Sequence, residues 1–239
     1  MKYVGSKSRI AKHIVPIIQQ MIDDNQIVDY YEPFVGGANV IDKIECSNRY
    51  ASDINLYLIE LFKNINRISS LPDSISKDEY DKVRKAYYSG SSEYEDWYIG
   101  AIGFLASYNG KFFGGYAGKV HTKINTIRDY YDEAKRNLEA QIPCLKGIKW
   151  DCKNYLDYKD INNALIYCDI PYKNTTGYGT TFNHDEFWQW AEEKSKNNIV
   201  LVSEEQAPAG WNCIWQQEVK RTLDNKSRSN KVEKLFIFK

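Results

Sequence analysis

Asp169 is followed by Ile170-Pro171-Tyr172, so a single turn offers a carboxylate, main-chain carbonyls and an aromatic face. A carboxylate and a carbonyl both accept hydrogen bonds, and a tyrosine ring stacks on flat groups. A second acid, Asp53, closes the segment Arg49-Tyr50-Ala51-Ser52-Asp53. At the end of a strand it is placed to accept hydrogen bonds from ribose hydroxyls, the alternative being a cap for the helix expected over 54–68. Upstream, Glu32-Pro33-Phe34-Val35-Gly36-Gly37 puts two glycines after an apolar stretch, where backbone can approach a ligand without side-chain collision. The glycine turn and Asp53, in consecutive strand–helix units, point to a nucleoside-type cofactor. The third glycine of a dinucleotide fingerprint is missing, which disfavours a nicotinamide enzyme and leaves no pyrophosphate cradle.

These residues need a sheet to hold them. Ala164 to Cys168 is a short uninterrupted apolar run, the pattern of a strand buried on both faces as in a parallel sheet. Pro171 ends its ladder by removing a donor, and the strand delivers Asp169 to the carboxyl edge, where open α/β sheets bind ligands. Strands are also expected at 27–32, 49–53, 148–152, 199–203 and 235–238. Ala38 to Ile41 is read as a helix start, and Asn154-Tyr155 as the turn after the strand at 148–152. Ile10, Ile14, Ile17, Ile18 and Met21 mark an N-terminal helix that Ser6 or Ser8 would cap. Gly5 to Lys7 ahead of it lacks the spacing of a Walker loop. Asn183 is a candidate cap for a helix opening at His184, and His184 itself has no neighbours that make a triad.

Between about Leu71 and Pro143 the composition shifts to charged, tyrosine-rich helical segments at 78–88, 97–108 and 128–140. They flank Tyr108-Asn-Gly-Lys-Phe-Phe-Gly-Gly-Tyr-Ala-Gly-Lys119, read as an irregular loop. Asn109, Lys111 and Lys119 are candidates for phosphate contacts, and Phe112, Phe113 and Tyr116 for stacking on bases or wedging into a duplex. The alternative is a flexible surface hairpin. Lys2, Lys7, Arg9 and Lys12 form one basic cluster and Lys220, Arg221, Lys226, Arg228 and Lys231 a second, and 175–182 is a polar loop beside the site.

The chain has 239 residues, 27% of them charged, and a formal net charge of zero, so no global field marks a polyanionic partner. Its size fits one domain or one domain with an insertion. Five scattered cysteines without a Cys-x-x-Cys pair fit reduced thiols in a cytoplasm, with neither a disulfide framework nor a zinc site. No apolar run reaches the length of a membrane span and no leader pattern opens the chain, so a cytoplasmic protein is expected.

Four elements in fixed order, Tyr3…Lys7, Glu32 to Gly37, Ser52-Asp53-Ile54-Asn55 and Asp169 to Tyr172, resemble the Dam-like (D12 class, α-group) adenine-N6 DNA methyltransferases. The similarity covers nearly the whole chain. It implies an α/β fold: a Rossmann-like class I methyltransferase sheet with an inserted, mainly helical target-recognition domain. Residues 1–70 and 144–239 would form the catalytic domain and 71–143 the insertion. The implied cofactor is S-adenosyl-L-methionine, bound by Tyr3, Lys7, Phe34, Gly36, Gly37, Asp53, Tyr155 and Asp169. Asp169, Ile170, Pro171 and Tyr172 would be catalytic, with double-stranded DNA as the partner and no metal or membrane involved. Cytosine-N4 methylation, or DNA binding without turnover, are the alternatives.

Three departures from the family pattern stand out. Ala38 replaces the last glycine of F-x-G-x-G and is expected to be tolerated at a helix start. Ile170 replaces the first proline of the D-P-P-Y motif, where the chemistry uses only a carbonyl. Asn109-Gly110-Lys111 lacks the arginine that reads guanine in GATC-specific members, so GATC recognition is not implied.

Overall fold

A computed structural model describes residues 1–121, 125–172, 182–220 and 230–238. Its main sheet holds β1 (Asp29–Glu32), β2 (Asn48–Asp53), β5 (Ile148–Cys152), β6 (Leu165–Asp169), β7 (Ile199–Glu204), β8 (Trp211–Lys220) and β9 (Asn230–Phe238). The spatial order is β5-β2-β1-β6-β7-β9-β8. The first five strands are parallel, and β9 enters antiparallel between β7 and β8. This is a mixed α/β fold built on a mostly parallel seven-stranded sheet. Strand order reverses between β1 and β6, and that switch point is where an open sheet leaves a crevice for a ligand. The apolar run does form a central strand, with Leu165 to Cys168 all buried and Asp169 emerging at its end.

Several local expectations change. Residues 33–40 are spent on turns, and only Ile41–Lys43 forms a short 3-10 turn where a helix was expected. Ser6 caps the 3-10 turn Lys7–Arg9 by accepting from the Ser8 amide, whereas α1 (Ala11–Asp24) starts at Ile10 without a side-chain cap. The helix after Asp53 is shorter than expected: α2 (Leu56–Lys63), capped by Asn55, then a 3-10 turn Ile65–Ser70. β8 was not expected at all. A bulge between Cys213 and Trp215 interrupts its pairing with β9, so the two-residue alternation that marks a strand is broken in the sequence.

The inserted segment contributes α3 (Lys77–Ser89), α4 (Asp96–Leu105), a small antiparallel hairpin of β3 (Lys119–His121) and β4 (Ile127–Asp129), and α5 (Tyr130–Leu145). α6 (His184–Ser195) is capped by Asn183 as expected. One hydrophobic cluster runs from Ile14 and Tyr30 to Ile99, Phe104 and Tyr131, so 71–143 shares its core with the helices of the sheet. Glycines in α4 make this possible. A Cβ at Gly100 would lie 2.1 Å from the Tyr57 carbonyl oxygen of α2, and one at Gly103 would lie 2.3 Å from the Phe112 ring.

Candidate active site

A cavity of ≈ 460 Å³ opens at the carboxyl edge of β1, β2 and β6, lined by both acids that the sequence singled out, Asp53 and Asp169. Its volume lies in the range of small-molecule sites.

At one end stands Asp53. Its Oδ1 accepts from the Asn55 amide at 3.0 Å and its Oδ2 from the Gly36 amide at 3.3 Å. Each carboxylate oxygen has two lone pairs, so these contacts orient the group without exhausting it. Burial pushes its carboxyl above the usual carboxylate range, against the lowering effect of the Asn55, Gly36 and Ile54 amides. Phe34, Tyr155 and Phe182 line the same cavity with their rings packed on one another, Phe34 to Tyr155 at 5.3 Å and Phe34 to Phe182 at 5.7 Å. This aromatic cluster gives a flat heterocycle an apolar face to lie against.

The glycine turn serves a purpose beyond the one expected. A Cβ on Gly37 would fall 2.8 Å from Tyr3 Cβ and 2.9 Å from the Met1 carbonyl oxygen, and one on Gly36 would fall 3.0 Å from the Tyr3 ring. What crowds both glycines is therefore the protein's own segment, with Tyr3 laid along the turn. Ala38 is not at a helix start. It has a φ of 55°, in the left-handed region, where a side chain costs about 1–2 kcal/mol. The substitution of glycine here is tolerated at a strain cost.

At the other end, Asp169 is tied to Lys7. The Lys7 ammonium is buried, 2.9 Å from Asp169 Oδ1 and 3.3 Å from Glu233 Oε2, and it donates to the Tyr172 hydroxyl. Burial opposes its charge, but the two carboxylates outweigh burial and hold Lys7 above the ordinary lysine value. The Tyr172 hydroxyl donates in turn to Glu233. Burial first, then Asp169 and Glu233, push that phenol far above its ordinary value, so it stays a neutral donor. Ile170, Pro171 and Tyr172 line the cavity, and Ile170 is also buried in the cluster with Phe187, Trp188 and Val202. Ile170 thus does more than carry a carbonyl: its side chain anchors the turn.

Glu233 and Glu32 escaped the sequence reading. Glu32 is buried at the end of β1, accepts from the Tyr30 hydroxyl at 2.6 Å, and is held well above the usual carboxylate range by burial. For Glu233 the available signal was an acid at an inward position of β9, in phase with the fully buried Leu235.

The residues expected to meet DNA divide. Lys111 and Lys119 are exposed and Asn109 is half-exposed on the insertion. Phe112 and Phe113 are instead core residues. Phe113 is only 6% exposed, and Phe112 packs against Phe104 and Tyr87 with ring centroids 4.8 and 5.1 Å away. The Tyr116 hydroxyl is committed to the Ile75 carbonyl. These rings fasten the loop to the insertion, with Phe113 N–H bound to the Gly103 carbonyl at 3.0 Å, so neither the base wedge nor the flexible hairpin describes it. The exposed apolar side chains near Lys119 are Val120 and Ile127, on the β3–β4 hairpin. The polar loop at 175–181 and the basic stretch at 221–229, with the side chains of Lys220 and Lys231, lie outside the described residues. Among the described residues no group of three acids, cysteines or histidines could hold a metal, and no helix is long and apolar enough to cross a membrane.

The chain is 26% identical over 196 residues to the type II methyltransferase M.FokI of Planomicrobium okeanokoites, covering 74% of this chain and 29% of that protein. It thus spans under a third of that relative's length. It is also 26% identical over 214 residues to the type II methyltransferase M.MjaIII of Methanocaldococcus jannaschii, covering 78% and 74% of the two chains. Among solved structures, the rRNA methyltransferase aviRa of Streptomyces viridochromogenes aligns with a TM-score of 0.45 and 9% identity, over 96% of this chain and 84% of that one. TrmN of Thermus thermophilus aligns with a TM-score of 0.39 and 9% identity, over 94% and 48%. The family model for D12 class N6 adenine-specific DNA methyltransferases matches residues 3–206, which take in Tyr3, Lys7, the glycine turn, Asp53 and the Asp169 turn. The chain belongs to the D12 class N6 adenine-specific DNA methyltransferase family.

Proposed function

We propose that this protein methylates the N6 atom of an adenine flipped out of duplex DNA, with S-adenosyl-L-methionine as donor. One observation carries the reading: a single cavity is lined by the aromatic cluster, Asp53 and the Asp169-Ile170-Pro171-Tyr172 turn. The residues present fit the donor. The aromatic cluster gives its adenine an apolar face, Asp53 can accept from its ribose hydroxyls, and Tyr3 and Phe34 line the same cavity as the two acids. When bound, the cofactor supplies an electrophilic methyl group.

The chain's own residues supply the rest. Adenine N6 is a poor nucleophile because its lone pair is delocalised into the ring, and inside a duplex it is out of reach. Asp169 and the Ile170 carbonyl accept its two hydrogens, which favours a pyramidal nitrogen with a localised lone pair. Tyr172 stacks on the flipped base, a contact of about 1–3 kcal/mol. Positioning provides most of the acceleration. On the DNA side, Lys111 and Lys119 contact phosphates, and the exposed β3–β4 hairpin, with Val120 and Ile127 beside Lys119 and Arg128, approaches the duplex.

Methyl-labelled S-adenosylmethionine incubated with duplex DNA tests this. The wild type should transfer label to DNA, and Asp169→Ala should not, while still shifting DNA in a gel with an affinity that falls as salt rises. Label transfer by Asp169→Ala at the wild-type rate contradicts the mechanism.

A further inference from the structure

We propose that Glu233 is a positioning residue that fixes the base-stacking ring, an inference that rests on the adenine-methyltransferase reading above. The family match ends at residue 206, and Glu233 comes from the last strand, β9. Its Oε2 accepts from the Tyr172 hydroxyl at 2.5 Å and lies 3.3 Å from Lys7 Nζ. Lys7 in turn sits 2.9 Å from Asp169 Oδ1, donates to the same hydroxyl, and stands 4.3 Å from the centre of the Tyr172 ring. Lys7, Tyr172 and Glu233, from three separate segments, therefore close one ring of contacts, and Asp169 joins it through Lys7.

A tyrosine has two side-chain torsions. The Tyr172 hydroxyl, held by both Glu233 and Lys7, anchors the far end of the ring, and because the hydrogen bonds of a phenol lie near the ring plane the pair also orients that plane before any base arrives. Glu233 also shares the Lys7 ammonium with Asp169, so the carboxylate that receives the target amine is not the sole counter-ion of that cation. An inward site on β9 has no structural need of an acid. Burying a carboxylate is costly, and an apolar residue such as the Leu235 two places on would fill the position at lower cost.

The test is a double-mutant cycle of Glu233→Leu and Tyr172→Phe, with Glu233→Gln as the conservative variant. Glu233→Leu should lower kcat on duplex DNA about tenfold to a hundredfold with the cofactor Kd unchanged. Adding it to Tyr172→Phe should cost less than it does alone, since the hydroxyl contact is already gone and only the ion pair with Lys7 is left to lose. Glu233→Gln, which keeps an acceptor for the hydroxyl, should recover most of the activity. Fluorine NMR of 3-fluorotyrosine-labelled protein without DNA should show the Tyr172 resonance, assigned by its absence in Tyr172→Phe, displaced in both Glu233 variants. Independent, multiplicative losses in the cycle, or a Tyr172 resonance unmoved by either substitution, would overturn the proposal. If Glu233→Leu does not fold, the resonance in Glu233→Gln decides. A wild type that methylates no adenine would sink the functional reading, while the NMR comparison would still show whether Glu233 holds Tyr172.

Discussion

The two acids of the cavity are held in opposite ways. Asp53 takes its bonds from main-chain amides of Gly36 and Asn55, groups that the neighbouring turn and helix start supply whatever their side chains. Asp169 sits in a network of side chains, Lys7, Tyr172 and Glu233, contributed by the N-terminal segment, its own turn and the last strand. The first arrangement suits recognition of a constant ligand. The second concentrates buried charge where the proposed methyl transfer takes place, and any one substitution there unbalances the others.

The comparison breaks most clearly at Asp169. Asp169→Ala should lower kcat on the order of 10²- to 10³-fold or more, as loss of an oriented partner for the reacting group does, with cofactor binding little changed by calorimetry. A mutant that loses cofactor affinity instead would erase the distinction between the two ends. Asp53→Asn should do the reverse, weakening the cofactor Kd about 10- to 100-fold, or roughly 1.4–2.8 kcal/mol, with kcat at saturation preserved. Because burial raises the Asp53 carboxyl, wild-type affinity should begin to fall as pH drops to values above the usual carboxylate range, where the acceptor becomes protonated. Asp53→Asn should flatten that pH dependence. An equal slope in both proteins would remove Asp53 from the site.

Smaller effects sharpen the picture of the turns. Ile170→Pro keeps the carbonyl but removes a buried side chain, at a cost of about 1–3 kcal/mol, and a thermal melt should fall by about 2–4 °C per kcal/mol. Its kcat, measured well below that melt, should stay within a few-fold of wild type. Ala38→Gly should have the least effect. Relief of left-handed strain, about 1–2 kcal/mol, is offset by about 0.4–1 kcal/mol of added unfolded-state freedom, so a small rise in Tm is expected.

The difference between the two ends also explains what could be read from the residues alone. The Asp53 end is local: strand, acid, glycine turn and Asn55 lie within 24 residues of one another, from 32 to 55, and short-range pattern describes them. The same holds for β6, whose apolar run and terminal proline announce a buried parallel strand. Glu233 was invisible because its partners at 7, 169 and 172 are far away in the chain, and only the antiparallel insertion of β9 brings them together. Phe112 and Phe113 misled for a related reason. Aromatic residues between glycines look like a loop offering rings to a ligand, yet the glycine that matters to them, Gly103, lies in α4 and lets that loop be pulled into the core. The turn at Ala38 failed because a left-handed alanine breaks a helix start that the residue types themselves permit.

The central claim is the identity of the atom that is methylated. Duplex DNA treated with the wild-type protein and methyl-labelled S-adenosylmethionine, digested to nucleosides and separated by mass spectrometry, answers it directly. The account predicts label in N6-methyldeoxyadenosine and none after Asp169→Ala. Label in N4-methyldeoxycytidine, or no label in DNA from a protein that binds the cofactor, would contradict it.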